Sequence, residues 1–542
     1  MSRLRWPRGN AAWYASPWRH RLLLGCAFVV ACAGLGRLAL DAGLSWDEPF
    51  QIQYGDYVLA WFRSHFVDDH ALRYKNLHLY GGLFDLAAQW LVSKLVPPWD
   101  TLAVRHVLTA VVAVLGAGAS YAMAARLAGQ RAGMIAGALL LLTPTWLGHG
   151  LFNPKDVPFA SAAAFASYAA LCIATGPCPL TWRQGSFAAL CVGVALAIRP
   201  GGVFLISYPL LAAYGRWLLD ARGAWRTRGL AATLRSAATI TLRLSWTCAV
   251  AWLLMISTWP WAQQAPFTRP LEGISKAAHF AWRGAVLFRG QHIPATQLPN
   301  DYLPVWFGIT LPETYLFAFV CGCVEIGVWL LGRNVGTHPR RLGLCLLAWF
   351  VVFPVLAALA VRPAIYDAHR HFLFMLPPLA ALAGVALARF FRDRGLPKQL
   401  RHATAVALLA VGALVIYDML SLHPYEYVYF NRLSGGLPGA FGRFETDYWG
   451  ASHREGLAWL LDHYPKRPDA GRIRLAGCNR PPHVAYYLRH WPELAAKFKL
   501  AGSDQRAQIY LAVTRYDCHK AAGKIIHIVE RQGVPLLYVF ER

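Results

Sequence analysis

Residues 79–96 read LYGGLFDLAAQWLVSKLV, and whether this stretch crosses a membrane decides how the whole chain is threaded. It is apolar, yet Asp85, Gln89, Ser93 and Lys94 recur at helical spacing and give it one polar face. A helix of that kind suits the membrane interface better than the hydrocarbon core. Eleven other apolar stretches are long enough, or nearly so, to cross ~30 Å of hydrocarbon. They fall near 21–40, 103–125, 132–150, 158–176, 185–198, 201–218, 238–258, 306–331, 342–361, 371–389 and 403–422. With 79–96 kept on the surface, five basic loops share one side with the N-terminal Arg3, Arg5, Arg8, Arg19 and Arg21. These loops hold Arg126 and Arg131, Arg183, Arg216 to Arg235, Arg333 to Arg341, and Arg392 to Arg401. The positive-inside rule makes that side cytoplasmic. Counting 79–96 as a span would invert all five, so the expected fold is a polytopic α-helical membrane protein with about 11 transmembrane helices and interfacial helices in its first outer loop.

Composition agrees with this threading. Of 542 residues, 56% are hydrophobic and only 15% charged, with 22 Trp and a mean hydropathy of +0.34, which excludes a soluble enzyme of this size. A net charge of +25 would point to nucleic acid in a soluble domain, but here the cations sit in short loops between spans. No small-residue cleavage site follows the first apolar run, which reads as an uncleaved span. The eleven Cys form no CxxC pair and no zinc-spaced Cys/His cluster, and Cys26, Cys191 and Cys248 read as packing residues inside spans.

The map divides the chain into a transmembrane domain, 1–422, and a C-terminal domain, 423–542. Four segments of the first face outward: 41–102, 151–157, a large loop at 259–305, and 362–370. The C-terminal part loses the long apolar runs and alternates helical pattern with strand-like stretches at Ile473 to Ala476, Ile509 to Val513, Ile525 to Val529 and Pro535 to Phe540. It is expected to be a small α/β domain on the same outer face. Cys478 and Cys518 are its only cysteines and could form a disulfide in an oxidising compartment or remain free thiols.

The outer segments hold nearly all the unusual polar residues. Trp46-Asp47-Glu48 follows the first span directly, and ionisable groups at the lip of a bilayer are functional candidates. Asn153-Pro154-Lys155-Asp156-Val157-Pro158 sets an acid and a lysine between prolines at the mouth of two spans. The alternative for Asp156 is a helix cap. Arg199-Pro200-Gly201-Gly202 places a guanidinium at the same level, where a snorkelling arginine is the alternative. Lys75, Arg283 and Arg289 lie in the outer loops, and 362–371 adds Arg362, Asp367, His369, Arg370 and His371. Acids among many cations on one face fit an anionic substrate, with a carboxylate left for proton transfer. Asp47-Glu48 could bind a divalent cation, although a third ligand is not evident and no DxD pattern is present. The stretch from His423 to Asn431 and on through Glu445, Asp447 and Trp449 reads either as an aromatic belt at the interface or as a roof over the site.

In these motifs the chain resembles the GT-C superfamily of integral-membrane glycosyltransferases. The Trp46-Asp47-Glu48 acid, the Asn153 to Phe159 loop and Trp259-Pro260-Trp261 opening the large outer loop are nearest to bacterial relatives of protein O-mannosyltransferases and lipid A aminoarabinose transferases, of the glycosyltransferase family 39 or 83 type. The resemblance covers roughly residues 20 to 420. It implies a sugar donor on polyprenyl phosphate, an inverting transfer at the outer membrane face, and a glycan, lipid or protein acceptor. It further implies that Asp47 and Asp156 are the two loop acids, with Glu48 beside the first. Lys75 and Arg199 would bind the lipid phosphate, with Arg289, or Arg283 as its rival, from the large loop. Asn76 stands where relatives carry a proline, and Arg199 where they often carry lysine. Lys155, His369, Arg370 and Asp447 are further candidates for the acceptor side. The contrasting reading is a transporter or lipid flippase, which would call for internal repeats and midplane acids. No repeat is visible, and the acids concentrate at one face, with Glu313 and Glu325 in the expected span 306–331 as the exceptions. Ala, Leu, Arg and Gly richness fits a bacterial source and therefore an inner-membrane location with a periplasmic C-terminal domain.

Overall fold

The computed structural model describes residues 17–97, 100–278, 282, 284–331, 339–392, 395, 397–465, 471–479 and 481–542. Arg3, Arg5, Arg8, Arg283 and most of the Arg333 to Arg341 loop lie outside these, as does the side chain of Glu325. Among the described residues, eight helices are long and apolar enough to cross a membrane, and two bent helix pairs raise the number to ten. Trp182–Ile198, at 17 residues, is a shorter apolar helix. Each of the eleven stretches read from sequence falls on one of these. Val29, Val30, Leu253, Leu409 and Leu420 stand exposed on their outer faces. An apolar shell of that kind is what lipid contact requires, and the chain is a multi-pass membrane protein.

Local chemistry explains the breaks. Pro144 opens the second half of the first bent pair and holds Thr143 extended at ψ 109°, giving a 65° bend. Pro312 does the same to Leu311 at ψ 137°, and Tyr302–Thr310 and the following helix diverge by 116°. Glu313 sits at that break, not in mid-span, and accepts the backbone N–H of Arg432 at 2.8 Å. Gly129, with φ 93°, reverses the chain between Thr101–Ala128 and Gln130–Leu141, a conformation open to glycine without strain.

Leu83–Leu95 is a helix of 13 residues, too short to span. Its orientation differs from the expected one. Asp85 and Gln89 point inward, Asp85 to Arg105 at 2.6 Å and Gln89 to Asp56 at 2.6 Å, while Trp90 and Leu95 are exposed. A buried arginine on Thr101–Ala128 needs a carboxylate, and that demand turns the polar face of the helix into the protein.

The basic loops gather at one end. Arg126 Nε donates to Thr175 Oγ1 at 2.5 Å, Arg216 Nε to the carbonyl of Gly176 at 3.3 Å, and His20 lies 3.0 Å from Tyr121 Oη. Asp156 begins the helix Asp156–Ala174, so it lies about 28 Å from that end at 1.5 Å per residue.

Among the described residues there are seven strands. A hairpin, β1 (Ala285–Phe288) with β2 (Gln291–Pro294), projects from the large loop. The C-terminal domain carries β3 (Ile473–Gly477), β4 (Phe498–Leu500), β5 (Ile509–Val513), β6 (Lys524–Arg531) and β7 (Val534–Glu541), in the order β4-β3-β5-β7-β6. β3 is parallel to β4 and β5, while β7 runs antiparallel to β5 with Leu511 opposite Val539. Cys478 and Cys518 are joined as a disulfide.

This domain is packed onto the helical part. Arg454 donates to the carbonyls of Leu40 and Ala42 at 2.7 and 2.8 Å, and Tyr487 Oη accepts from the N–H of Leu44 at 2.9 Å. Residues 425–449 do not form a belt at the interface. Tyr425, Tyr427, Tyr429, Phe430, Tyr448 and Trp449 are all buried, correcting the belt reading in favour of the roof. Gly43 lies so close to Ala451 that a Cβ would meet its carbonyl oxygen. Gly43→Ala is expected to cost about 1–3 kcal/mol, as overpacking does, and to lower the melting temperature of the detergent-solubilised protein.

Candidate active site

Four chain segments converge on one ion-pair network. Asp47 precedes the helix Glu48–Arg63, Asp156 begins Asp156–Ala174, Arg199 follows Trp182–Ile198, and Arg370 opens the turn before Leu376–Phe390. Asp156 Oδ1 lies 2.5 Å from Arg199 and its Oδ2 lies 3.2 Å from Arg370. Arg370 also reaches Asp367 at 3.0 Å and Asp47 at 3.7 Å. It is buried beneath Trp449, whose ring centroid is 4.5 Å from the guanidinium. From Asp367 the network continues to Arg515 at 2.6 Å and on to Glu445 at 3.5 Å.

Asp156 is fixed from behind. Asn153 donates to its Oδ2 at 2.9 Å and, through the same amide nitrogen, to His149 Nδ1 at 3.0 Å. Nδ1 therefore accepts, which leaves Nε2 to donate to Tyr448 Oη at 3.1 Å. Asn153 Oδ1 accepts the N–H of Asp156, tying the helix start to the same amide. Asp156 is thus neither a cap nor accessible: buried between two guanidiniums, it holds their positions.

Asp47 is different. Its side chain keeps 31% exposure, against 1% for Asp156, and it makes no capping bond at its helix. It is the acid of the network open to a ligand. Lys155, half-buried, has no acidic partner among the described residues and lies 3.8 Å from the ring centroid of Tyr80. The ammonium's charge holds the Tyr80 phenol below its ordinary pKa, with Arg199 and Arg370 adding to the effect.

Other sequence candidates go elsewhere. Glu48 turns away into the core, where its Oε1 meets His106 at 2.8 Å and its Oε2 takes the N–H of Ser45 at 2.6 Å. It is not placed to share a cation with Asp47, and among the described residues no group of three or more His, Cys, Asp or Glu could hold a metal ion. Lys75 is exposed, with a backbone φ of 47° and its ammonium over Phe50 at 3.5 Å, three residues from Asp47. Arg289 sits at the hairpin tip with φ 52° and pairs with Asp301 at 2.6 Å on the surface. Arg283 lies outside the described residues.

Asp447 is saturated. It accepts from Tyr427 Oη, from the N–H groups of Gly450 and Ser452 at 2.8 and 3.1 Å, and from the Ser452 hydroxyl. It braces the turn before the helix His453–His463 and has no lone pair to offer an acceptor. His369 is buried against Phe307, with both ring nitrogens unpartnered and burial pushing its pKa down to about 3. It is a neutral ring at any physiological pH.

Sequence reading missed Tyr80 and Arg515. Tyr80 had no motif to mark it. Arg515 follows β5, and crevices at the carboxyl ends of parallel strands are common ligand positions, so the legible strand at 509–513 carried a signal for it.

Glu445 completes the chain of charges. Burial pushes its carboxyl up to about 7, from 4.5, against the pull of Arg515. The folded state therefore holds this proton more tightly than the unfolded one. The stability it contributes is present below about pH 4.5 and is lost as pH rises through 7. Melting curves of wild type should fall by several degrees more between pH 5 and pH 8 than those of Glu445→Gln, which has no such proton.

The fold and the network define a multi-pass membrane protein with a charged site at the end opposite its basic loops. No protein-family profile and no curated protein matches the chain. Solved structures resemble it over most of its length. ArnT from Cupriavidus metallidurans bound to undecaprenyl phosphate is 16% identical over 95% of this chain and 98% of its own, with a TM-score of 0.48. The oligosaccharyltransferase AglB from Archaeoglobus fulgidus, in complex with an inhibitory peptide and a dolichol-phosphate, is 12% identical over 90% and 69%, at 0.46. The arabinofuranosyltransferase AftD from Mycobacteria is 13% identical over 95% and 39%, at 0.44.

Proposed function

We propose that the chain is an inverting glycosyltransferase that moves a sugar from a polyprenyl-phosphate donor to an acceptor at the outer face of a bacterial inner membrane. The observation that carries this reading is the asymmetry of the two acids: Asp156 is buried and spent on Arg199 and Arg370, while Asp47, 3.7 Å from Arg370, is open. One carboxylate is left for proton transfer beside cations whose positions are set in advance, which is what displacement of a phosphate leaving group needs.

In the proposed reaction Asp47 takes the proton of an acceptor hydroxyl as that oxygen bonds to C1 of the sugar from the face opposite the phosphate. The bond from C1 to the phosphate oxygen breaks, and the electron pair leaves on the polyprenyl phosphate. Lys155 and Arg199 carry that negative charge: Lys155 makes no ion pair among the described residues and lies over the Tyr80 ring, and Arg199 keeps 15% exposure. Arg370 holds Asp47 toward the acceptor. This moves Lys155 from the acceptor side to the phosphate side, where the resemblance alone implied Lys75 and Arg199, with Arg289 or its rival Arg283.

Asp47→Asn should lower transfer from a polyprenyl-phosphate sugar by about 10²–10⁴-fold, the range for loss of a general base, with expression and melting temperature unchanged; retained activity would refute the assignment. Asp156→Asn should instead unfold the protein or cost about 3–5 kcal/mol, because it strands Arg199 and takes from the buried Arg370 one of its three acids. For sidedness, with the free cysteines replaced, Leu433→Cys should react with a membrane-impermeant maleimide from the periplasm and Arg131→Cys should not.

A further inference from the structure

A cavity of about 300 Å³ lies between the β1–β2 hairpin, residues 441–448 and the loop 514–520 of the C-terminal domain. The reaction described above leaves it unused, yet the network runs straight into it, from Asp47 through Arg370, Asp367 and Arg515 to Glu445 on its wall. Its volume falls at the lower end of the ~300–1,000 Å³ typical of small-molecule sites.

Its lining has a distinct chemistry. Glu445 is buried, with Oε2 lacking any hydrogen-bond partner. A buried polar atom without a partner costs about 1–3 kcal/mol. Two of the aromatic rings that line it are exposed, Phe441 at 37% and Tyr516 at 42%. The charges at the rim cancel one another: Asp517 pairs with Lys520 at 3.2 Å and His292 at 3.7 Å. Exposed rings beside a carboxyl with one unpartnered oxygen, with no excess of either charge, suit an uncharged polyhydroxylated ligand and not an anion.

The backbone bears this out. Tyr516 and Asp517 both adopt φ 56°, a conformation unfavourable for residues with side chains, as costly segments at binding sites often do. They are held there from both sides, by the ion pair of Arg515 with Asp367 and by the disulfide at Cys518. The consequence is a tyrosine ring fixed in the cavity lining.

We propose that this cavity binds a neutral saccharide, the carbohydrate portion of the acceptor, so that the acceptor is a glycan or glycolipid in preference to a polypeptide. This rests on the glycosyltransferase reading for its role as an acceptor site, but sugar binding is measured without transfer. Saturation-transfer NMR on the full-length protein in nanodiscs, with methyl α-mannopyranoside, methyl β-glucopyranoside and maltose as probes, should show binding to at least one. Tyr516→Gly removes the ring while relaxing the positive φ, and should weaken that binding about tenfold, the loss of one aromatic contact. Glu445→Gln should alter it as well, whereas Asp47→Asn should bind as wild type does while losing transfer. Absence of binding to all three sugars, binding undiminished in Tyr516→Gly, or displacement of the sugar by inorganic phosphate would overturn the proposal. Loss of transfer in Asp47→Asn alone bears only on the reaction.

Discussion

The pairing of Arg370 with Asp156 is the interaction on which the rest depends. A guanidinium and a carboxylate buried together at 3.2 Å are tolerable only where further charged and polar groups close around both, and here most do, although Nε of Arg370 and of Arg199 keep no hydrogen-bond partner. That requirement recruits Arg199 to one oxygen of Asp156, Asn153 and His149 behind the other, and Asp367 to the far side of Arg370. The helices ending or starting at these residues are thereby locked at one level, and Asp47 is brought to the surface of an array already balanced within. Removing Asp156 leaves the guanidinium of Arg199 without its acid, which makes the network a fixed frame more than a source of net stability.

The neighbouring acids Asp47 and Glu48 illustrate how such a frame separates roles. Adjacent positions at a helix start point in different directions. Glu48 is consumed by His106 and a backbone N–H in the core, while Asp47 stays half-open at the rim. The same division holds between Asp447, whose oxygens are filled by a turn, and Glu445, two residues earlier, whose carboxyl keeps an empty side. Burial alone marks none of these as functional; the useful sign is an acid with a lone pair left over.

The C-terminal domain belongs to the site and does not merely hang from the last span. Trp449 covers Arg370, Tyr448 holds His149, and Arg515 joins Asp367. Gly43 and Gly148 permit this by letting backbone approach backbone: a Cβ on Gly148 would meet the amide nitrogen of Tyr427. The aromatic stretch for which the sequence left a belt or a roof open is therefore buried against the charged network, and low dielectric strengthens every pair inside it.

By itself the sequence determined the place of the apolar helices, though it counted about eleven spans where eight helices, or ten with the bent pairs, are long enough among the described residues, together with the exclusion of 79–96 from the spans and four of the five strands of the C-terminal sheet. These follow from hydropathy, period and local turn chemistry, all of which act within a window of a few residues to a few turns. What only the tertiary structure decided was partnership. That Asp156 belongs to Arg199 and Arg370, that Glu48 faces inward, that Arg289 stays at a hairpin tip, and that Arg515 enters from a strand end more than a hundred residues past Arg370 depend on contacts between distant segments. The short strand Phe498–Leu500 and the hairpin 285–294 were equally illegible, since three or four residues show no period until a neighbour pairs with them. A charge shows in the sequence; which opposite charge satisfies it is settled only when the chain closes around both.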